Sequence, residues 1–269
     1  MIPAPVEYVR ASSLDEALDA LAEPDAKALA GGQSLISVMK LRVVRPSLLV
    51  DIGRLDLGGV ETRDGALHLG ALVVWNALAR AAELRRPALA AIADCAAGIG
   101  DLQVRNRGTL GGSLAHADPA SDLPAVVLAM GARLQLRSPD GVRTLKAAEF
   151  FLGPFTTALG VRELITEVVF PVPPAGYGSA YVSVEHPASG FALAGAAALV
   201  RADGSSTVAL TGVSAQPVLL PPNADPAEAL AEAEIFGDGF APVEYRRHLA
   251  VTVARRALER AANRAEEDR

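Results

Sequence analysis

Ala30-Gly31-Gly32-Gln33-Ser34 and Thr109-Leu110-Gly111-Gly112-Ser113 are two glycine-rich turns, each leading into a helical pattern. Glycine tolerates positive φ and lets a ligand approach the backbone with no Cβ in the way. Ser34, Thr109 and Ser113 set hydroxyls beside those amides. Two sets of bare N–H groups suit a pyrophosphate gripped from both ends, the linkage of a dinucleotide. Neither turn is a G-x-G-x-x-G fingerprint or a Walker-type phosphate loop, which argues against both of those folds.

Around the first turn the pattern is strand and helix. Val6 to Arg10 reads as a short strand. Ser13-Leu14-Asp15-Glu16 is a capping box, opening a helix to about Leu21. Lys27 to Ala30 is a strand running into the glycines, Leu35 to Leu41 a helix, and Leu48 to Ile52 a buried strand. A second segment starts near Val60. It has a strand at Leu67–Leu72 and helices at Asn76–Leu84, Ala88–Ala97 and Leu123–Met130. A hairpin turns at Pro139-Asp140-Gly141, and a strand covers Glu163–Phe170. Pro171-Val172-Pro173-Pro174 is the best linker. Beyond it, Phe191–Arg201 and Thr207–Val213 flank Asp203-Gly204, a hairpin signal. Helices at Pro226–Ile235 and Tyr245–Ala262 close the chain, and Glu266–Arg269 reads as a frayed tail. Strands and helices do not alternate strictly, so the expected class is α+β.

Composition narrows the function. The chain has 269 residues, 51% of them hydrophobic, and a net charge of −6. That is ample for a core and argues against a nucleic-acid binder with a basic face. No uncharged run is long enough to suggest a membrane span, and no basic-then-apolar leader opens the sequence, so a cytoplasmic location is expected. Cys95 is the only cysteine. One thiol forms no internal disulfide and holds no iron–sulfur cluster.

Other polar groups carry less. Gln103-Val104-Arg105-Asn106-Arg107 reads equally as a solvated turn or as donors that brace the second loop or neutralise phosphate. His116, Asp118 and Asp122 lie near Ser113, but with no nucleophile elbow and poor metal spacing they support neither a hydrolase nor a metal site. Asp122 reads as a helix N-cap or as an acceptor for a ribose hydroxyl.

Ala30 to Leu35, with Met39-Lys40-Leu41-Arg42, resembles the first FAD loop of the medium subunit of molybdenum hydroxylases, the carbon monoxide and xanthine dehydrogenase group. The run from Gln103 to Pro124 resembles the second loop almost throughout. Weaker likeness continues at Glu149-Phe150-Phe151, His186–Ala192 and Glu244–Leu249, so it spans essentially the whole chain. The resemblance implies an FAD-binding module of the vanillyl-alcohol-oxidase (PCMH) type in two subdomains, 1–56 and 57–172, followed by a smaller α+β domain, 176–269. It implies FAD held by Ala30, Gly31, Gly32, Gln33, Ser34 and Leu35 on one side of the pyrophosphate and by Thr109, Gly111, Gly112 and Ser113 on the other. Asp122 would meet the adenosine portion and Ile165 would pack near the adenine. Phe191 sits where some relatives place an aromatic over the isoalloxazine ring; a buried core phenylalanine is the other reading. Many relatives carry Tyr-x-Lys where this chain has Tyr181-Val182-Ser183, which removes a cation.

The function so implied is electron transfer, with no acid–base residue. A large partner subunit would carry the molybdenum cofactor and a small one two [2Fe–2S] clusters, in a dimer of heterotrimers. The alternatives are a flavin-free scaffold or a free-standing flavin reductase or oxidase.

Overall fold

The computed structural model describes residues 2–269. The first lobe runs β1 (Glu7–Arg10), α1 (Leu14–Ala20), β2 (Lys27–Leu29), α2 (Leu35–Lys40) and β3 (Leu48–Asp51). Its three strands form a parallel sheet in the order β1-β3-β2. Parallel pairing needs crossovers, which α1 and α2 supply. Ser13 caps α1 as read, accepting from the Glu16 amide. The Glu16 carboxylate, however, takes the Ser12 N–H at 2.7 Å and the Ser12 hydroxyl at 2.6 Å instead of closing the box on Ser13.

The second lobe runs β4 (Val60–Arg63), β5 (Ala66–Gly70), α3 (Trp75–Leu78), α4 (Ala90–Gly98), α5 (Leu102–Arg105), α6 (Leu110–His116) and α7 (Leu123–Ala129). It continues through β6 (Arg133–Ser138), β7 (Gly141–Lys146), α8 (Ala147–Phe150), β8 (Phe151–Gly153), β9 (Thr156–Thr157) and β10 (Leu164–Pro171). Its main sheet is antiparallel, β4-β5-β10-β6-β7. The helix expected over Asn76–Leu84 is a single turn, α3, followed by a 3₁₀ turn at Ala82–Arg85. α5 folds from what read as a polar turn, its Asp101 cap accepting from Val104. All seven residues of α7 are buried.

The third part is β11 (Gly178–Glu185), β12 (Ala192–Val200), β13 (Ser206–Thr211), β14 (Val218–Leu219), α9 (Pro226–Leu230) and α10 (Val243–Glu267). The four strands form one antiparallel sheet in sequence order. All nine residues of β12 are buried because both faces are covered. Ala196, Ala198, Val208 and Leu210 pack with Val253, Ala257 and Ala261 of α10. On the opposite face, Tyr181, Ala197 and Ala209 join the core of the second lobe, beside Cys95 of α4 and residues of α7. At Gly178 a Cβ would collide with the Ala261 carbonyl of α10, so sheet and helix touch backbone to backbone.

The frayed-tail expectation is overturned. α10 continues to Glu267, the Gly176 amide donates to Asp268 at 2.9 Å, and Arg269 donates to the Ala202 carbonyl at 2.9 Å. Those bonds tie the last turn to the linker and to the β12–β13 turn.

Candidate functional site: two glycine loops in contact

The first loop leaves β2 at the C-terminal edge of the parallel sheet, and the second enters α6 after the α5 turn. The fold puts them side by side. A Cβ on Gly31 would fall inside the Arg107 carbonyl and lie 3.0 Å from the Gly108 Cα. One on Gly112 would lie 3.8 Å from the Ala30 Cβ. Gly31 is therefore glycine because two backbones cross there. Gly32 has φ +75°, a left-handed turn that glycine enters without strain.

The two loops differ in what they can donate. Among the described residues, the backbone N–H groups of Gly31, Gly32, Gln33, Ser34 and Leu35 have no protein acceptor. The Ser34 hydroxyl is equally uncommitted, making no capping bond to α2. Five successive free amides with a hydroxyl beside them form an anion cradle.

The second loop spends its amides on its own structure. Leu110 donates to Val73 at 3.0 Å, Gly111 to Ala71 at 2.7 Å, and Ser113 to the Thr109 carbonyl at 3.1 Å. Gly112 donates to the Thr109 hydroxyl at 3.1 Å, the N-cap of α6. The Gly111 N–H is taken, and a Cβ there would lie 2.6 Å from the Ala71 Cβ, so it is small for packing. Arg105 closes the turn before α5, donating to the Ile99 carbonyl at 3.3 Å, while Asn106 accepts from Asn76 at 2.7 Å.

The remaining expected residues are placed as follows. Ser113 Oγ lies 2.7 Å from Ser121 Oγ. Asp122 is not a side-chain N-cap: its carboxyl makes no capping bond and turns to the C-terminal sheet, where Oδ1 accepts from the Tyr181 hydroxyl. Burial pushes Asp122 up to about 6, against the Tyr181 hydrogen bond, which lowers it, and with Glu185 adding to the rise. The same burial drives the Tyr181 phenol and the Cys95 thiol up. Burial also lowers His116, opposed by Asp118. Ile165 is 5% exposed, and its side chain serves the central core. Phe191 is 48% exposed at the start of β12, so the buried-core reading fails. Ser183 stands opposite Gly195 on the face of β11 that carries Tyr181.

Sequence reasoning quoted Ser121 and Tyr181 without giving either a role, and passed over Thr211. Thr211 Oγ1 lies 2.6 Å from the Ser121 carbonyl and 3.0 Å from that of Pro119. The one available signal was Gly195, a glycine inside an alanine-rich strand, which marks a close approach. A Cβ there would strike the Tyr181 hydroxyl.

Two crossed glycine loops, one with a row of free amides, define a module for a pyrophosphate-linked cofactor. Residues 4–173 match the family described as the FAD binding domain in molybdopterin dehydrogenase. The chain is 35% identical to the carbon monoxide dehydrogenase medium chain of Afipia carboxidovorans, over 98% of this chain and 99% of that one. It is 41% identical to the glyceraldehyde dehydrogenase medium chain of Sulfolobus acidocaldarius, covering 76% of this chain and 73% of that one. Its fold matches carbon monoxide dehydrogenase from Hydrogenophaga pseudoflava with a TM-score of 0.92 at 35% identity, covering 98% and 99% of the two chains. The chain belongs to the family of FAD-binding medium subunits of molybdenum hydroxylases. It is an oxidoreductase subunit whose cofactor is FAD. No helix among the described residues is long and apolar enough to cross a membrane.

Proposed function

We propose that this chain is the electron-transfer subunit of a cytoplasmic, multi-subunit molybdenum hydroxylase. In this reading a large partner carries the molybdenum cofactor and a small partner carries [2Fe–2S] clusters, in a dimer of heterotrimers. Electrons arrive from the small partner and leave to an external acceptor. The observation that carries the reading is the row of uncommitted amides from Gly31 to Leu35, set against the second loop by the Gly31–Arg107 crossing. FAD, when bound, supplies the redox chemistry. The chain's own residues bind and orient. Ala30 to Leu35 hold the pyrophosphate, Thr109, Gly112 and Ser113 shape its far side, and Asp122 faces the adenosine portion. Exposed Phe191 is free to lie against the ring system. Ser183 leaves that region without the lysine of many relatives, so charge near the cofactor is reduced. We divide the chain at 1–56, 57–172 and 176–269. The three larger sheets, one in each part, and the end of the family match at residue 173 support that division.

The test is to purify the chain with its neighbouring subunits, release the cofactor and identify it. Then the small subunit is reduced and the flavin absorbance followed. One FAD per chain, bleached only when the small subunit is present, is the expected result. Oxidation of NAD(P)H by the isolated chain would favour the free-standing reductase. No bound flavin after reconstitution would favour the scaffold.

A further inference from the structure

The family match ends at residue 173, yet three hydrogen-bond donors reach from beyond it into the Pro119–Asp122 loop that follows α6. Thr211 Oγ1 reaches the Pro119 and Ser121 carbonyls, the Gly212 amide donates to the Pro119 carbonyl at 2.8 Å, and the Tyr181 hydroxyl donates to Asp122 Oδ1. The held loop carries Ser121, bonded to Ser113, and Asp122, whose second carboxylate oxygen takes no hydrogen bond from another residue. Tyr181 is 5% exposed and Thr211 is 1% exposed, so both bonds are shielded from water. Room for the phenol is made by Gly195. On the same face Ala197 and Ala209 pack without polar groups, whereas the buried Tyr181 and Thr211 hydroxyls each need a partner and find it in this loop.

We propose that Tyr181 and Thr211 are positioning residues of the FAD site, acting through the Pro119–Asp122 loop from a sheet outside the family's FAD-binding domain. Tyr181 aims Asp122 by holding one carboxylate oxygen and leaving the other for the cofactor. Thr211 fixes the height of the loop, and with it the Ser121–Ser113 pair. The proposal rests on the reading that Asp122 faces the adenosine portion.

The experiment measures FAD affinity of the full chain by fluorescence titration after flavin removal. Each variant is held well below its melting temperature, and the visible circular dichroism of bound flavin is recorded. Tyr181→Phe keeps the ring and loses the bond, and Thr211→Val keeps the shape and loses the hydroxyl proton shared between the Pro119 and Ser121 carbonyls. Each is expected to raise the Kd by roughly tenfold, the scale of one buried hydrogen bond, and to change the flavin dichroism. Thr211→Ser, which keeps the hydroxyl, should restore the wild-type value. In an Asp122→Asn background Tyr181→Phe should add nothing, because it acts through that carboxylate. Lower melting temperatures with unchanged Kd and dichroism would make both residues purely structural and overturn the proposal. Unchanged Kd in Asp122→Asn beside a weakened Tyr181→Phe would overturn the route through Asp122. If Tyr181→Phe does not fold, the Thr211→Val and Thr211→Ser pair decides by the same two readouts. Wild-type chain that binds no FAD would instead count against the FAD reading itself.

Discussion

Gly31 and Gly111 look equivalent in the sequence, each the first glycine of a Gly-Gly pair, but their missing Cβ atoms face different things. At Gly31 the neighbour is the Arg107 carbonyl, in the facing loop; at Gly111 it is the Cβ and carbonyl oxygen of Ala71, beneath α6 and away from that crossing. Gly31→Ala should therefore force the two loops apart and yield protein without stoichiometric flavin. Gly111→Ala should lower stability by about 1–3 kcal/mol through overpacking while still taking up FAD in the cold. Flavin-to-protein ratio and thermal melts separate the two, and a flavin-replete Gly31→Ala would refute the crossing as the organiser of the site. Asp122 gives a prediction in pH. Its folded pKa is raised to about 6 from 3.8 by burial. The folded chain thus holds a proton that the unfolded chain has already released between those values. Stability falls as pH rises through that window and stays lower above it. Asp122→Asn should melt with the wild type near pH 4 but be more stable at pH 7.5, by on the order of 1–3 kcal/mol in the flavin-free protein. Equal melts at both pH values would mean that burial is not what perturbs this carboxyl.

α6 shows how an element can be legible while its purpose is not. Thr109 before Leu110-Gly111-Gly112 reads as the start of a helix, and it is one. The same cap, though, consumes the amide that a phosphate was expected to take. Thr109→Val should cost about 1 kcal/mol of stability by orphaning the Gly112 N–H, and Thr109→Ser should recover most of it. Chemical denaturation of the flavin-free chain measures both, and an undiminished Thr109→Val would show that the cap is not holding α6. Elements with strong local signals were readable in advance. Ser13 announced α1, the Asp203-Gly204 turn announced β12 and β13, and Pro139-Asp140-Gly141 announced β6 and β7. Short elements were not, since α3 and α5 have four residues each and form only where neighbours hold them. The first loop was readable as a turn because the left-handed backbone at Gly32 is a local demand, whereas the Gly31–Arg107 crossing was not. The Tyr181–Asp122 and Thr211–Ser121 contacts join residues far apart in the chain, and no periodicity carries that information.

At the scale of the molecule, the third part is a wall of the second lobe as much as a domain of its own. α7 is buried along its entire length, and part of its cover comes from β12 and β13. α4 is likewise covered by β11, and Arg264 of α10 clamps Asp94 of α4 through bonds of 2.6 and 3.0 Å. A chain cut at residue 173, where the family match ends, would strip that cover from two apolar helices and remove Tyr181, Ala197 and Ala209 from the central core. An exposed face of that kind drives association in water. The 1–173 fragment should therefore aggregate, or persist without fixed near-ultraviolet circular dichroism while binding a hydrophobic dye, and it should retain no FAD. A soluble, monomeric fragment with native-like dichroism and stoichiometric flavin would show that the cofactor module stands alone. In that case the hydrogen bonds from the C-terminal sheet would be ornament to a site already formed without them.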